Sequence, residues 1–165
     1  MEKGKHTFHF SVNTGLFSGF QNPEIIEGSA EILLEAGKFS HFMNVILNFS
    51  GTLTVSCDRC LDDLDIPVKG KNLLSVGFGE APDEPENESP DEDVMYVNEE
   101  DEELDLTAYV YESICLSLPI QRMHGDGENG KSLCNPEMLK YISNMQQAEK
   151  ESPFSILKGI NEINK

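Results

Sequence analysis

The 165-residue chain has no long apolar run. Its longest apolar region, over 42–49, is broken by Asn44 and Asn48 and falls short of the roughly 18 unbroken apolar residues that a membrane-spanning helix requires. A soluble protein is expected. The opening residues MEKGKHTFHF carry Lys3 and Lys5, with no apolar stretch of signal-peptide length before Phe8 and Phe10 begin to alternate. Only four cysteines are present, too few to suggest a disulfide scaffold without an export signal, so reduced thiols or a metal site in a reducing cytosol fit better. Enzyme signatures are missing as well: there is no G-x-S-x-G elbow, no phosphate-cradling glycine loop before a helix and no H-E-x-x-H. The four histidines are few, with His6 and His9 on a strand pattern and His41 beside a turn, where catalytic histidines are uncommon. No catalyst is expected.

Basic charge is scarce too: 12 Lys and Arg stand against 30 Asp and Glu, a net charge of −18. Spread evenly, that field would repel a phosphate backbone. It is concentrated instead. Residues 80–105 hold 14 acids and no Lys or Arg, so setting those 14 aside from −18 leaves only −4 on the rest of the chain. Within this block, EAPDEPENESPDED combines three prolines with eight acids and no apolar residue larger than alanine, so burial cannot offset its ordering entropy. It reads as a mobile loop over 80–93. Its acids serve solubility, or they attract a basic partner over about a Debye length, an attraction that weakens with salt. Acid pairs in such a loop lack the desolvation that would separate their pKa values for catalysis.

What is present is strand alternation. Phe8, Phe10 and Val12 alternate with polar neighbours, as do Ala30, Ile32 and Leu34, then Met43, Val45, Leu47 and Phe49, with Leu53 and Val55 continuing towards Cys57. Gly37-Lys38 suggests a hairpin connection, with Gly37 at positive φ. Residues 66–78 form a fourth strand pattern, where Pro67 and Gly70 imply an edge or an irregular start. Connections this short cannot supply crossovers, which predicts mainly antiparallel pairing. Val94 and Tyr96 return one short strand after the acidic loop. The period then changes: Leu106, Tyr109, Val110 and Ile114 recur at helical spacing behind Asp105 as a cap, predicting a helix over 106–117 that stops before Pro119. RMHGDGENGK, 122–131, reads as a flexible loop. Asn135-Pro136-Glu137 combines a cap, a first-turn proline and an acid at the positive end of the helix dipole, so a second helix is predicted over 136–148. A third, short helix is expected over 152–160.

The result is an α+β fold: a mostly antiparallel β-sheet or open barrel in the first half, with two or three helices from the second half packed on it. One domain over 1–165 is expected, with a flexible acidic insertion at about 80–93.

One compact motif carries chemistry. Cys57-Asp58-Arg59-Cys60 is a C-x-x-C, whose spacing lets two thiolates reach one tetrahedral ion at Zn–S distances of about 2.3 Å. That is half a site. His124 and Cys134, in or beside the glycine-containing loop, are the better candidates for the other half. Cys115, next to Ile114 and Leu116 on the first helix, reads as a small buried hydrophobe. A Cys57, Cys60, His124, Cys134 set would tie the end of a central strand to the loop before the last helix, and the two readings are a structural Zn2+ site or unmetallated thiols. A thiol-disulfide or metal-handling protein is the enzymatic competitor, but redox C-x-x-C motifs place the first cysteine at a helix N-terminus. Here the chain soon reaches Pro67, and Asp58, Asp62 and Asp63 disfavour a thiolate.

In order and content these pieces resemble the YceD family of large ribosomal RNA subunit accumulation proteins. The resemblance rests on a β-rich half ending in Gly-x-Leu-x-Val-x-Cys-x-Arg-Cys-Leu over 51–61, an acidic stretch, and DLTAYVYESICLSLP over 105–119, similar to the family's Asp-Leu, helix, Glu and Leu-Pro signature. His124 and Cys134 fall where the family has further cysteine and histidine positions. Where many members show several cysteines after the Leu-Pro, this chain has Cys134, and His124 would substitute. The resemblance implies a cytoplasmic, non-enzymatic ribosome-biogenesis factor supporting accumulation of large-subunit ribosomal RNA. Two partners are then in view. One is a basic large-subunit ribosomal protein held by the acidic loop; the other is ribosomal RNA touched through Arg59, Lys69 and Lys71, the one basic grouping near the motif.

Overall fold

The computed structural model describes residues 4–39, 41–80, 93–98, 100–101 and 103–148. The acidic loop proposed for 80–93, beyond its two ends, and the short helix expected over 152–160 lie outside the described residues. The chain divides into two compact units, one formed by Met1–Ser56 with Asp63–Arg122, the other by Cys57–Asp62 with Met123–Lys165.

The first unit is an open five-stranded sheet in the order β1 (Gly4–Val12), β2 (Ile25–Lys38), β3 (Phe42–Ser56), β4 (Asp63–Phe78) and β5 (Asp93–Val97). The alternation in the sequence dictates its two faces. In the register, Ile32 lies opposite Phe49, Leu34 opposite Leu47 and Ala36 opposite Val45, while Val45 and Met43 face Leu74 and Val76 across the next pair. All of these are buried. The intervening residues, among them Glu31, Glu35, Ser50, Lys69 and Lys71, point to the other, exposed face. Because side chains alternate strictly along a strand, a one-residue slip would exchange the two sets, so burial fixes the register.

The first four strands are antiparallel neighbours, but β5 runs parallel to β4. Parallel pairing needs a crossover of a dozen or more residues, and the long segment between Phe78 and Asp93 is the one connection that supplies it. β5 pairs only with Leu74–Phe78. Pro67 therefore sits where β4 has β3 on one side and no described strand on the other, which suits a residue that cannot donate to a ladder. The β2–β3 connection is displaced from Gly37-Lys38. Gly37 is extended and pairs with Asn44, and the chain turns just beyond, where the Phe39 N–H donates to the Phe42 carbonyl at 2.9 Å and the two rings stack at 4.7 Å. An aromatic clamp closes the hairpin in place of a glycine turn.

Helix α1 (Thr14–Gly19) was not evident from the apolar spacing, since it is a single six-residue segment. Asn13 caps it by accepting from the Gly15 N–H at 2.9 Å, and it buries Phe17. Helix α2 (Thr107–Leu116) starts one residue later than expected. Leu106 takes the cap position, while the Asp105 carboxylate still accepts from the Thr107 N–H at 2.8 Å. The Thr107 hydroxyl and, after it, this N–H lower the Asp105 pKa from the ordinary carboxylate value. α2 turns Tyr109, Val110, Ser113 and Ile114 onto the sheet, and Asn72 donates to the Ser113 hydroxyl at 3.1 Å, satisfying the one buried polar side chain among the described residues. Phe20, the residue that ends α1, stacks on Tyr111 of α2 at 4.0 Å. Burying side chains such as Leu47, Leu53 and Ile114 contributes about 1.5–3 kcal/mol each.

In the second unit the segment read as a flexible loop is closed by hydrogen bonds. Asp126 and Ser132 form an antiparallel bridge, the Gly127 N–H donates to Lys131, the Leu133 N–H donates to Gly125, and Gly130 takes φ +67°, the left-handed value that suits glycine in a tight turn. Gly130, within the stretch read as flexible, is the residue whose left-handed backbone lets the hairpin close. Helix α3 (Pro136–Ala148) follows, with Asn135 accepting from the Glu137 N–H at 3.0 Å, as its cap signature predicts.

Candidate metal centre

The first half of the site is a turn. After Cys57 the chain doubles back so that the Leu61 N–H donates to the Cys57 carbonyl and the Cys57 N–H donates to the Asp62 carbonyl, both at 2.9 Å. Closing it requires Leu61 at φ +64°, a left-handed conformation that costs a leucine about 1–2 kcal/mol. The strain wraps backbone amides around the two thiols. The second half comes from the closed loop before α3. Ser132 accepts from the Cys134 N–H at 3.2 Å and from the Arg59 guanidinium at 3.2 Å, and Asn135 donates to the Asp62 carboxylate at 3.5 Å. One hydroxyl thus ties the C-x-x-C turn to the residue that presents Cys134.

These constraints bring together the four residues singled out by the sequence. The ligand atoms of Cys57, Cys60, His124 and Cys134 all lie within 4.8 Å of one another. Cys57 Sγ is 3.9 Å from Cys134 Sγ, and Cys60 Sγ is 3.4 Å from His124 Nδ1. A tetrahedral zinc with Zn–S of about 2.3 Å and Zn–N of about 2.0–2.1 Å has edges of roughly 3.8 and 3.5 Å. The observed separations match both edges. The three cysteines are buried and His124 is half-buried, so four ligands converge on a point screened from solvent.

The electrostatics favour a cation. Burial pushes the Cys57 thiol up, but the backbone N–H groups of Cys60, His124 and Arg59 outweigh it and hold that thiol at about 6. For Cys60, burial prevails over the amides of Asn135 and Asp62, and the neighbouring thiols of Cys57 and Cys134 add to the rise. Thiols this close cannot all ionise unaided, whereas a dication stabilises every thiolate at once. Neither C-x-x-C cysteine lies at a helix N-terminus, the setting that activates redox thiols. Cys115 belongs to the sheet unit, packs half-buried against its core, and has its thiol raised chiefly by burial.

Among the described residues of this unit, the buried hydrophobic side chains are Cys57, Cys60 and Cys134 alone. Leu61, Leu133, Tyr141 and Met145 are 55% exposed or more. Among its described residues, with Met138, Leu139 and Ile142 only partly buried, thiols make up the fully buried interior.

The residues proposed for nucleic acid are placed as follows. Arg59 lies in the second unit, half-buried, donating to Ser132 and to the Met123 sulfur. Lys69 and Lys71 lie in the first, exposed on β4 opposite Ser50 and Asn48. The tie through Ser132 was missed from the sequence, although a serine two residues before a cysteine in a turn is a common backbone-capping arrangement.

Fold and site together define a mixed sheet-and-helix protein bearing a Cys3His cluster of metal-site dimensions. The family model described as Large ribosomal RNA subunit accumulation protein YceD matches residues 45–161, well over half of the chain, and the chain belongs to the YceD family. The match takes in all four cluster residues and begins within β3, after β1, α1 and β2. No curated protein and no solved structure matches the chain.

Proposed function

We propose that this protein is a non-enzymatic, cytoplasmic ribosome-biogenesis factor that supports accumulation of large-subunit ribosomal RNA by holding a basic large-subunit ribosomal protein. Membership of the YceD family supports the ribosomal role. The partner's chemistry rests on one observation: 14 acids without a Lys or Arg over 80–105, on a chain otherwise near neutrality. A Lys- and Arg-rich protein is drawn to such a field and a phosphate backbone is repelled by it. Direct contact with RNA through Arg59, Lys69 and Lys71 is the less favoured reading, because the Arg59 guanidinium is already engaged with Ser132.

The Cys57, Cys60, His124 and Cys134 cluster fits Zn2+, which when bound supplies cross-linking without chemistry, since four protein ligands close the coordination sphere and leave no position for a substrate. No described helix is long and apolar enough to cross a membrane. The test is affinity purification at low salt. Replacing the acids over 80–92 with Asn and Gln, which keeps the length of the connection that the parallel pairing of β5 requires, is expected to reduce recovery of basic large-subunit ribosomal proteins, and raised salt should do the same to the parent protein. Undiminished recovery by the charge-neutralised variant contradicts the reading. Ribosomal RNA crosslinks lost on charge reversal of Lys69 and Lys71 would favour the RNA contact in its place.

A further inference from the structure

The sheet unit carries a groove that neither its core nor the metal cluster explains. β1 pairs with Phe8 opposite Leu34 and Phe10 opposite Ile32, which puts both rings on the core face of the sheet. Yet they are 45% and 40% exposed. The cause is coverage. A ten-residue helix is about 15 Å long and roughly 10 Å wide, whereas β2, β3 and β4 extend for about 45–55 Å across a sheet some 19 Å broad. Among the described residues, α2 shields only part of that face and leaves the β1 side open.

The uncovered part forms a cavity of about 560 Å³, within the usual range for ligand sites of roughly 300–1,000 Å³. Leu34, Ala36, Met43 and Val45 floor it, with Phe8 and Phe10 on one wall and Phe78, Val97 and Leu104 on the other. Its rim is predominantly acidic. Asp101, Glu103 and Asp105 are exposed along it, against the single cation Lys38, whose ammonium sits 5.4 Å from the Phe78 ring centroid. An apolar trough edged by carboxylates repels fatty acids and other anionic amphiphiles, and a second copy of a −18 chain is equally disfavoured. It complements a peptide whose apolar anchors are interleaved with Lys and Arg.

We infer that this groove is where a basic, amphipathic segment of the partner protein docks, its apolar side chains seated between Phe8, Phe10 and Leu104 and its cations on Asp101, Glu103 and Asp105. The inference rests on the proposal that the partner is a basic protein, and it adds a docking surface to the longer-range attraction that the 80–93 acids exert.

The chain contains no tryptophan, which permits a local reporter. Phe8→Trp places the sole indole at the mouth of the groove. A fluorescein-labelled peptide of Leu, Ile and Phe interleaved with Lys and Arg is titrated into the full-length Phe8→Trp protein, with anisotropy followed on the label and emission on the indole. Expected are binding, a blue shift of the indole, and a roughly tenfold loss of affinity in both Phe10→Ser and Asp101→Lys/Glu103→Lys variants that retain the parent's circular dichroism. Binding without an indole shift, or unaltered in both variants, overturns the groove while leaving the basic-partner proposal standing. Equal binding of an uncharged apolar peptide or of a fatty acid overturns the assignment of a cationic occupant. If neither this peptide nor any basic ribosomal protein binds at low salt, the basic-partner proposal fails and the groove assignment fails with it.

Discussion

Removing the metal, or the ligands for it, should unfold one unit and spare the other. The perturbation is chelation of the zinc-loaded protein, or the Cys57→Ser/Cys60→Ser variant. In the second unit the described interior is three thiols, while Leu61, Leu133, Tyr141 and Met145 remain 68, 65, 61 and 55% exposed. Among the described residues of that unit, apolar burial therefore contributes little. Structural zinc in small Cys/His sites contributes about 10–16 kcal/mol of apparent binding free energy at neutral pH, as large as the whole stability of a typical domain at about 5–15 kcal/mol. The sheet unit, with its own core from Phe17 to Ile114, does not depend on that energy. Hydrogen exchange read by mass spectrometry is the assay. Peptides over 123–148 should lose protection by orders of magnitude on chelation, while β2 and β3 peptides stay within a few-fold of their starting rates. Unchanged protection over 123–148 in protein shown to be metal-free would refute the argument that the cluster holds this unit together.

Three further outcomes follow from local geometry. A Cβ at Gly51 would lie 2.7 Å from the Ala30 Cβ and closer still to the Ser29 carbonyl, so Gly51→Ala should cost about 1–3 kcal/mol by forcing β2 from β3, measured as a lower urea midpoint at unchanged slope. Burial and the Asp93 carboxylate, which accepts from the Tyr109 hydroxyl at 3.1 Å, push the Tyr109 phenol up to about 12. Because the folded state favours the neutral phenol, its contribution is complete below about pH 10 and is lost as pH rises from there towards 12. Tyr109→Phe should abolish the highest tyrosinate absorbance step and flatten that alkaline loss of stability. Arg59→Ala removes the donor to Ser132 and should weaken zinc binding about tenfold or more in a competitive chelator titration, as losses of supporting contacts around metal ligands do. An RNA contact by Arg59 would leave zinc affinity unaltered.

The strand faces were readable because burial imposes a period of two, and Ala30, Ile32, Leu34 and Met43, Val45, Leu47, Phe49 keep that period without interruption. Helix α3 was readable for a local reason too, since the Asn135 cap and Pro136 act within one turn. The four cluster residues were identifiable from their types, and Cys115, read from its apolar neighbours as a small hydrophobe, packs against the core. Local signals were weaker elsewhere. Gly37 resembled a turn residue, but the ring stacking of Phe39 on Phe42 decided where the hairpin closed. The glycines of 122–131 suggested looseness, whereas the bridge between Asp126 and Ser132 closes 125–133 into a hydrogen-bonded turn.

By itself, the sequence determined which residues alternate inward, where α2 and α3 form, which thiols and histidine are candidates for one site, and where the negative charge is gathered. All of these depend on neighbours within a few positions or on residue type. Only the tertiary structure decided that β5 joins in parallel, that Ser132 links Arg59 to the Cys134 amide, and that the inward face of β1 stays partly bare. Each of these is a relation between distant segments. A periodic pattern states that Phe8 and Phe10 seek cover, and whether a helix is broad enough to give it is a matter of packing in three dimensions.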